Sequence, residues 1–249
     1  MVTDVLAPLL ELVDVGEALD SARADVDAAL RHPALRASGG AMAAEVGLRS
    51  AVASAAIDGH GYDLEEVRAG TVTDPVVQGA LRVSRETDGL AELWPKVPRQ
   101  VLARIHVLAA RDSVPPNGLG RPAAGADVNR LNALLELIAG GTSVPSMLLA
   151  SIVHGELLSM APFGGPNGVV ARAAARITLV SGGLDPRGLL APEVGHLARQ
   201  PEYVGAAGAY ATGTPDGIRS WIKHCTTVVS LAAEELSAIA AVAGSPEQL

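Results

Sequence analysis

Apolar residues recur every three or four positions through most of this 249-residue chain, and Gly, Pro or Asp interrupts the pattern where one run ends and the next begins. No stretch alternates as a half-buried strand does. The apolar side chains are mainly Ala, Val and Leu, against one Phe, three Tyr and two Trp. Small aliphatic residues favour close-packed helices over a β-sandwich. The expectation is an all-α protein, and with 49% hydrophobic and 18% charged residues it is a folded one.

The periodicity predicts helices near 4–13, 17–30, 40–57, 63–69, 75–88, 99–111, 127–139, 145–160, 168–181, 201–211 and 215–242. The longest irregular stretch, SVPPNGLGRPAAGA at 113–126, has a Pro-Pro, Asn-Gly and Gly-Arg-Pro content that cannot sustain a helix and suits a small β-hairpin flap. Repeats, low-complexity tracts and charge blocks are missing. The simplest division is an N-terminal helical region at 1–39, a main domain at 40–242 and a tail at 243–249.

Nineteen basic against twenty-seven acidic residues give a net charge of -8, the wrong sign for a protein that binds by neutralising phosphate backbones, so nucleic acid is not an expected partner. The single cysteine, Cys225, excludes an internal disulfide framework and any CxxC metal site and reads as a small core residue. The first twenty residues carry acids where a signal peptide carries bases, and no uninterrupted apolar run reaches the roughly 18 residues of a membrane span. The sequence therefore predicts a cytoplasmic protein without a membrane partner.

One stretch carries chemistry. In MAPFGGPNGVVARAAAR, residues 160–176, a glycine-rich turn joins two apolar helices, the second starting at Asn167 or Gly168. Such a turn aims unpaired N–H groups and the positive end of a helix dipole at one point, which suits a phosphate, and Arg172 adds a bidentate donor. The same turn also serves as a plain cap, with Asn167 as N-cap.

The segment Ala161–Arg172, APFGGPNGVVAR, resembles the signature of the Fic (Fido) family, HPFx[D/E]GNGRxxR, with Pro162, Phe163, Asn167, Gly168 and Arg172 matching in register. His154 falls where many members carry a histidine on the preceding helix, and SAAIDG at 54–59 resembles the family's inhibitory motif [S/T]xxxE[G/N], with Ser54, Asp58 and Gly59 in place. IHVLAA before the GLGRP loop resembles the approach to the family's flap, and 201–224 its closing helices. The resemblance spans about 40–240 and implies the Fido helical fold.

Active members, as the resemblance implies, transfer AMP or a related group from a nucleotide to a protein hydroxyl. That reaction needs a histidine base, an acid for magnesium, glycine amides for the phosphates and arginines to neutralise them. Here Ala161 stands at the base position, Gly165 at the metal-holding acid, Pro166 at the first glycine of GNG and Val169 at the first arginine. Loss of base, metal ligand and one arginine removes on the order of 8 kcal/mol of transition-state stabilisation. What remains is a vestigial phosphate turn of Gly164, Gly165, Asn167, Gly168 and Arg172.

The leading expectation is thus a catalytically degenerate, pseudo-Fic protein acting as a regulatory or binding module. It has no cofactor, no metal and no AMP transfer, and its partner is a protein of unknown identity or a second copy of the chain through helix 215–242. The alternative is a divergent nucleotidyl or phosphoryl transferase with His60 or His154 as substitute base and ATP with Mg²⁺ as cofactors. His154, among apolar residues, also reads as a hydrogen-bonded core histidine. His196 is a third obvious substitute for the missing base, whereas His32, His106 and His224 read as helix-surface or interface positions. Asp58 is expected to pair with Arg172, or else to end its helix in solvent. Phe163, Trp94 and Trp221 read as core, and Arg121 as a solvated loop residue.

Overall fold

A computed structural model describes residues 4–37 and 39–243. Twelve α-helices follow one another: α1 Val15–Leu30, α2 Ala34–Ala37, α3 Gly39–Ile57, α4 Leu64–Arg68, α5 Pro75–Leu93, α6 Pro98–Ala110, α7 Val128–Gly140, α8 Ser146–Met160, α9 Asn167–Ser181, α10 Pro192–Ala198, α11 Gln200–Ala211 and α12 Pro215–Ala243. Two short 3₁₀ turns, Ala7–Glu11 and Pro116–Gly118, complete the list, and no strand occurs among the described residues. Of the predicted tail at 243–249, residue 243 still belongs to α12 and 244–249 lie outside the described residues.

At the centre, α8 and α9 pack against each other across the short turn that joins them. A helix apolar on every side belongs inside, and α8 buries Met147, Leu148, Ile152, Val153 and Leu157 around its circumference. One core lies between α8, α1, α11 and α12, with Val15, Leu19, Trp221 and Leu236 in it. A second joins α9 to α5, α6 and α7 through Ile105, Leu134, Phe163 and Ile177. Leu6, Val15, Leu19, Val26 and Leu35 share the first core with α12. The two tryptophans fix the layers with their ring N–H groups: Trp94 donates to Thr178 Oγ1 at 2.9 Å and Trp221 to the Ser151 carbonyl at 2.7 Å. Gly155 is the small residue that admits this packing, because a Cβ there would lie 2.7 Å from the Tyr210 ring.

Several starts follow the capping logic. Asp63, Asp74 and Asp127 each accept backbone N–H bonds from the first turn of α4, α5 and α7. Besides the short α2, which no expected helix covers, four predictions need correction. The expected helix at 4–13 is the 3₁₀ turn Ala7–Glu11. Helix α5 passes through Asp88-Gly89 to Leu93, because those two residues face solvent while Leu90 and Ala91 bury the opposite side. Helix α10 was not anticipated between Pro192 and the proline at 201, although Pro192 occupies the first-turn position that proline prefers.

The fourth correction concerns 113–126, which forms no hairpin. Its prolines lack the N–H groups a ladder needs, and its one 3₁₀ turn folds the chain locally instead. The loop is fastened to its surroundings by single bonds, Ala123 N–H to the Pro162 carbonyl at 2.8 Å and Gly120 N–H to His106 Nδ1 at 2.9 Å.

Helix α12 is long and apolar enough, by length and composition, to cross a membrane over Pro215–Val242. It packs against α1, α10 and α11, and its Val228, Val229, Ala232, Ala233 and Leu236 are buried within the chain itself.

Candidate functional site

The α8–α9 turn is shaped by backbone constraints before any chemistry. Ala161 closes α8 in the left-handed conformation at φ 42° and ψ 58°, which a residue with a Cβ adopts at a cost of roughly 1–2 kcal/mol. Gly165 follows with φ +80°, and a Cβ there would lie 2.8 Å from Val114 Cγ2 of the 113–126 loop. Asn167 is not the side-chain cap predicted for α9. Its amide folds back on the turn, its Oδ1 accepting from Phe163 N–H at 3.0 Å and its Nδ2 donating to the Phe163 carbonyl at 2.6 Å. The Phe163 ring is buried beneath and stacks on His106 with centroids 4.4 Å apart.

His106 is therefore no surface residue: it is fully buried, and it bridges turn and loop. Because Gly120 N–H donates to Nδ1, the ring proton sits on Nε2 and is donated to the Gly164 carbonyl at 2.8 Å. Burial holds its pKa below the ordinary histidine value, in keeping with a neutral ring whose two nitrogens have opposite roles.

Arg172, in the second turn of α9, is 2% exposed, and its guanidinium is boxed by four partners. Nε donates to Ser54 Oγ at 2.9 Å, and Nη2 donates to the Ser54 carbonyl and to Asp58 Oδ1, both at 2.8 Å. Nη1 donates to the Tyr203 hydroxyl at 3.3 Å. The expected Asp58–Arg172 pair is thus present, with Asp58 just past the end of α3 where Gly59, at φ +91°, turns the chain. The Asp58 carboxylate also lies against the backbone of Gly168, where any side chain would collide with it. An acidic side chain of the protein itself thus lies beside α9's first turn, at the flank that Gly168 leaves open.

Behind Arg172 lies a cluster of rings. Burial pushes the Tyr203 phenol up to about 12, so it keeps its proton, accepts from Arg172 and donates to His154 Nε2 at 3.0 Å. His154 is fully enclosed, with burial and the Arg172 charge holding its pKa well below the ordinary value. It meets His196 edge to face with centroids 5.1 Å apart, and His196 Nδ1 and His224 Nε2 share a hydrogen bond of 3.0 Å. His224 is 7% exposed, so the surface position predicted for it is also corrected. His60 sits elsewhere, its Nδ1 bound to Asp74 at 2.8 Å. The structure thus brings Ser54, Asp58, Gly168, Arg172 and His154 together and leaves His60 apart. Arg121 is exposed, as expected, and Cys225 is buried.

No known family profile matches the chain, and no curated protein does. Solved structures do. A Fic family protein from Desulfovibrio desulfuricans G20 superposes with a TM-score of 0.71 at 21% identity, over 93% of this chain and 77% of that one. The chain has the Fic fold. A segment of C. elegans Fic-1 gives a TM-score of 0.73 at 17% identity over 94% of this chain and 75% of that one, and a single-substitution form of the segment gives 0.71 at 17% over 92% and 73%. Three contributors to this Fic-fold site escaped the sequence reading. Tyr203 is one of two tyrosines in a helix otherwise rich in small residues, and Val114 is one aliphatic side chain in a loop. His106 has a clearer trace, since it sits at a helical spacing of buried positions with Leu102, Ile105 and Ala109.

Proposed function

We propose that this Fic-fold protein is catalytically degenerate and works as a regulatory or binding module rather than as an AMP transferase. The observation that carries the reading is the Asp58–Arg172 clamp lying across Gly168, in a turn where the base position is Ala161 and the acid position is Gly165. A methyl group accepts no proton, a glycine holds no Mg²⁺, and Pro166 has no N–H to give to a phosphate. The retained arginine is already neutralised by a carboxylate from its own chain. ATP and Mg²⁺ belong only to the transferase alternative, and that alternative gains little from the histidines. His154 Nε2 is taken by Tyr203 inside the core, and His60, held through Nδ1 by Asp74, lies apart from the turn.

The partner proposed is a protein, and the proposed place of action is the cytoplasm. Incubation with radiolabelled ATP, Mg²⁺ and a matched cell lysate is expected to leave no labelled band. Robust labelling that disappears in Arg172→Ala would overturn the reading. Calorimetry across a panel of nucleotides is expected to give flat traces at millimolar ligand, whereas Mg²⁺-dependent binding heats would favour the transferase.

A further inference from the structure

Two charged side chains deep in the fold each have an atom without a partner: Arg176 Nε and Glu193 Oε2. Arg176, on α9, is 5% exposed and Glu193, on α10, is 3% exposed. The other guanidinium nitrogens of Arg176 are engaged, Nη1 with Ser50 Oγ at 3.0 Å and Ser84 Oγ at 3.4 Å, and Nη2 with the Gly188 carbonyl at 2.8 Å. Neither unpartnered atom reaches the other. Buried polar groups in folded proteins are almost always satisfied, and where no protein group does so an ordered water does.

The space for such a water is on both sides of the pair. Arg176 and Glu193 together line two small cavities, one of about 20 Å³ bordered by Ser50, Ser84 and Thr87, the other of about 30 Å³ bordered by His154, Arg172 and His196. Each exceeds the roughly 10–15 Å³ that one water needs. The chemistry also matches, because Nε–H offers a donor, Oε2 an acceptor, and water accepts from the first while donating to the second. In the smaller cavity Ser50 Oγ, which accepts from Arg176 Nη1, still has its own proton to donate, and Ser84 Oγ and Thr87 Oγ1, whose protons go to the Gly47 and Val83 carbonyls, offer acceptors.

We propose that the interior between α9 and α10 is a built hydration site in which water bridges Arg176 Nε to Glu193 Oε2. The site forms the floor of the Arg172 clamp: Arg172 and Arg176 are four residues apart on one face of α9, and the larger cavity touches both. It joins the helix that carries the clamp to α10, and it stands independently of the reading that the protein transfers no nucleotide.

The test is oxygen-17 relaxation dispersion of solvent water with the full chain, in which only waters held longer than the protein's tumbling time contribute. The wild-type protein is expected to show such a contribution. The double variant Arg176→Met/Glu193→Leu, which removes both charges together and so leaves neither unpaired, is expected to lose it while keeping its helical circular dichroism. Equal contributions in both folded proteins, or none in the wild type, would overturn the proposal. Should the double variant fail to fold, a crystal structure of the wild type decides: a water within hydrogen-bonding distance of both atoms supports the site, and a direct Arg176–Glu193 bond overturns it.

Discussion

Arg172 and Arg176 occupy the same helix, one turn apart, and are buried almost equally, yet their surroundings differ in kind. Arg172 meets a carboxylate, a phenol, a hydroxyl and a carbonyl, all from α3, its following turn and α11. Arg176 bonds two hydroxyls and a carbonyl, and no carboxylate lies within bonding distance of it. The charge compensation is therefore concentrated at the position facing the glycine-rich turn. Burial alone does not distinguish a site from a scaffold; the identity of the partners does.

The largest effect that can break this contrast is expected from Arg172→Ala. Removing the guanidinium leaves the Ser54 carbonyl, Tyr203 and Asp58 without their shared donor and opens a hole in the core, for a loss of about 3–5 kcal/mol in urea unfolding. A loss below about 1 kcal/mol would mean the clamp is ornamental.

Acid is the next lever, and it acts on the two stations with opposite sign. Burial is the main reason that His154, His196 and His224 are all depressed, His224 to about 4. The native state then binds fewer protons than the unfolded chain, whose histidines titrate near 6.5, so stability is lost as pH falls from about 6.5 toward 4. Asp185, close to Arg176, is raised by burial to about 6, so its contribution runs the other way and favours the native state as pH falls from about 6 toward 3.8. The three histidines outnumber the one carboxyl, and Tm is expected to drop by roughly 5 °C between pH 7 and 4.5. His224→Gln is expected to flatten that drop, and an unchanged slope would uncouple the ring cluster from the clamp.

Smaller substitutions sharpen the comparison. Asp58→Asn keeps an acceptor for Arg172 but deletes its charge. Because the Asp58 side chain is 25% exposed, the loss is expected near 2 kcal/mol rather than at the full value for a buried pair. Ser50→Ala at the other station removes one of two hydroxyls on Arg176 Nη1 and is expected to lower stability by about 1 kcal/mol. Equal losses in these two variants, read from chemical denaturation, would erase the distinction between the stations.

Much of the scaffold was legible in the chain because long amphipathic and apolar runs, closed by aspartate caps and glycine turns, specify helices locally. The Asp58–Arg172 contact was legible through motif resemblance, spanning 114 positions that no local pattern connects. What stayed hidden is what tertiary packing alone decides. His106 and His224 looked like surface residues until neighbouring helices covered them. Asn167 had the chemistry of a helix cap, but the proline before it left its amide nearer to Phe163. Glu193 and Arg176 carry no sequence sign of lining the same cavities, because that depends on how α10 and α9 each pack against α3.

The methyl groups of Val114 resting over Gly165 make the turn and the 113–126 loop one mechanical unit. A side chain placed at 165 meets two obstacles at once, a left-handed backbone that suits glycine and a hydrocarbon 2.8 Å from where its Cβ would sit. Anyone engineering an acidic group into this turn must therefore redesign the loop in the same step, starting with a smaller residue at 114.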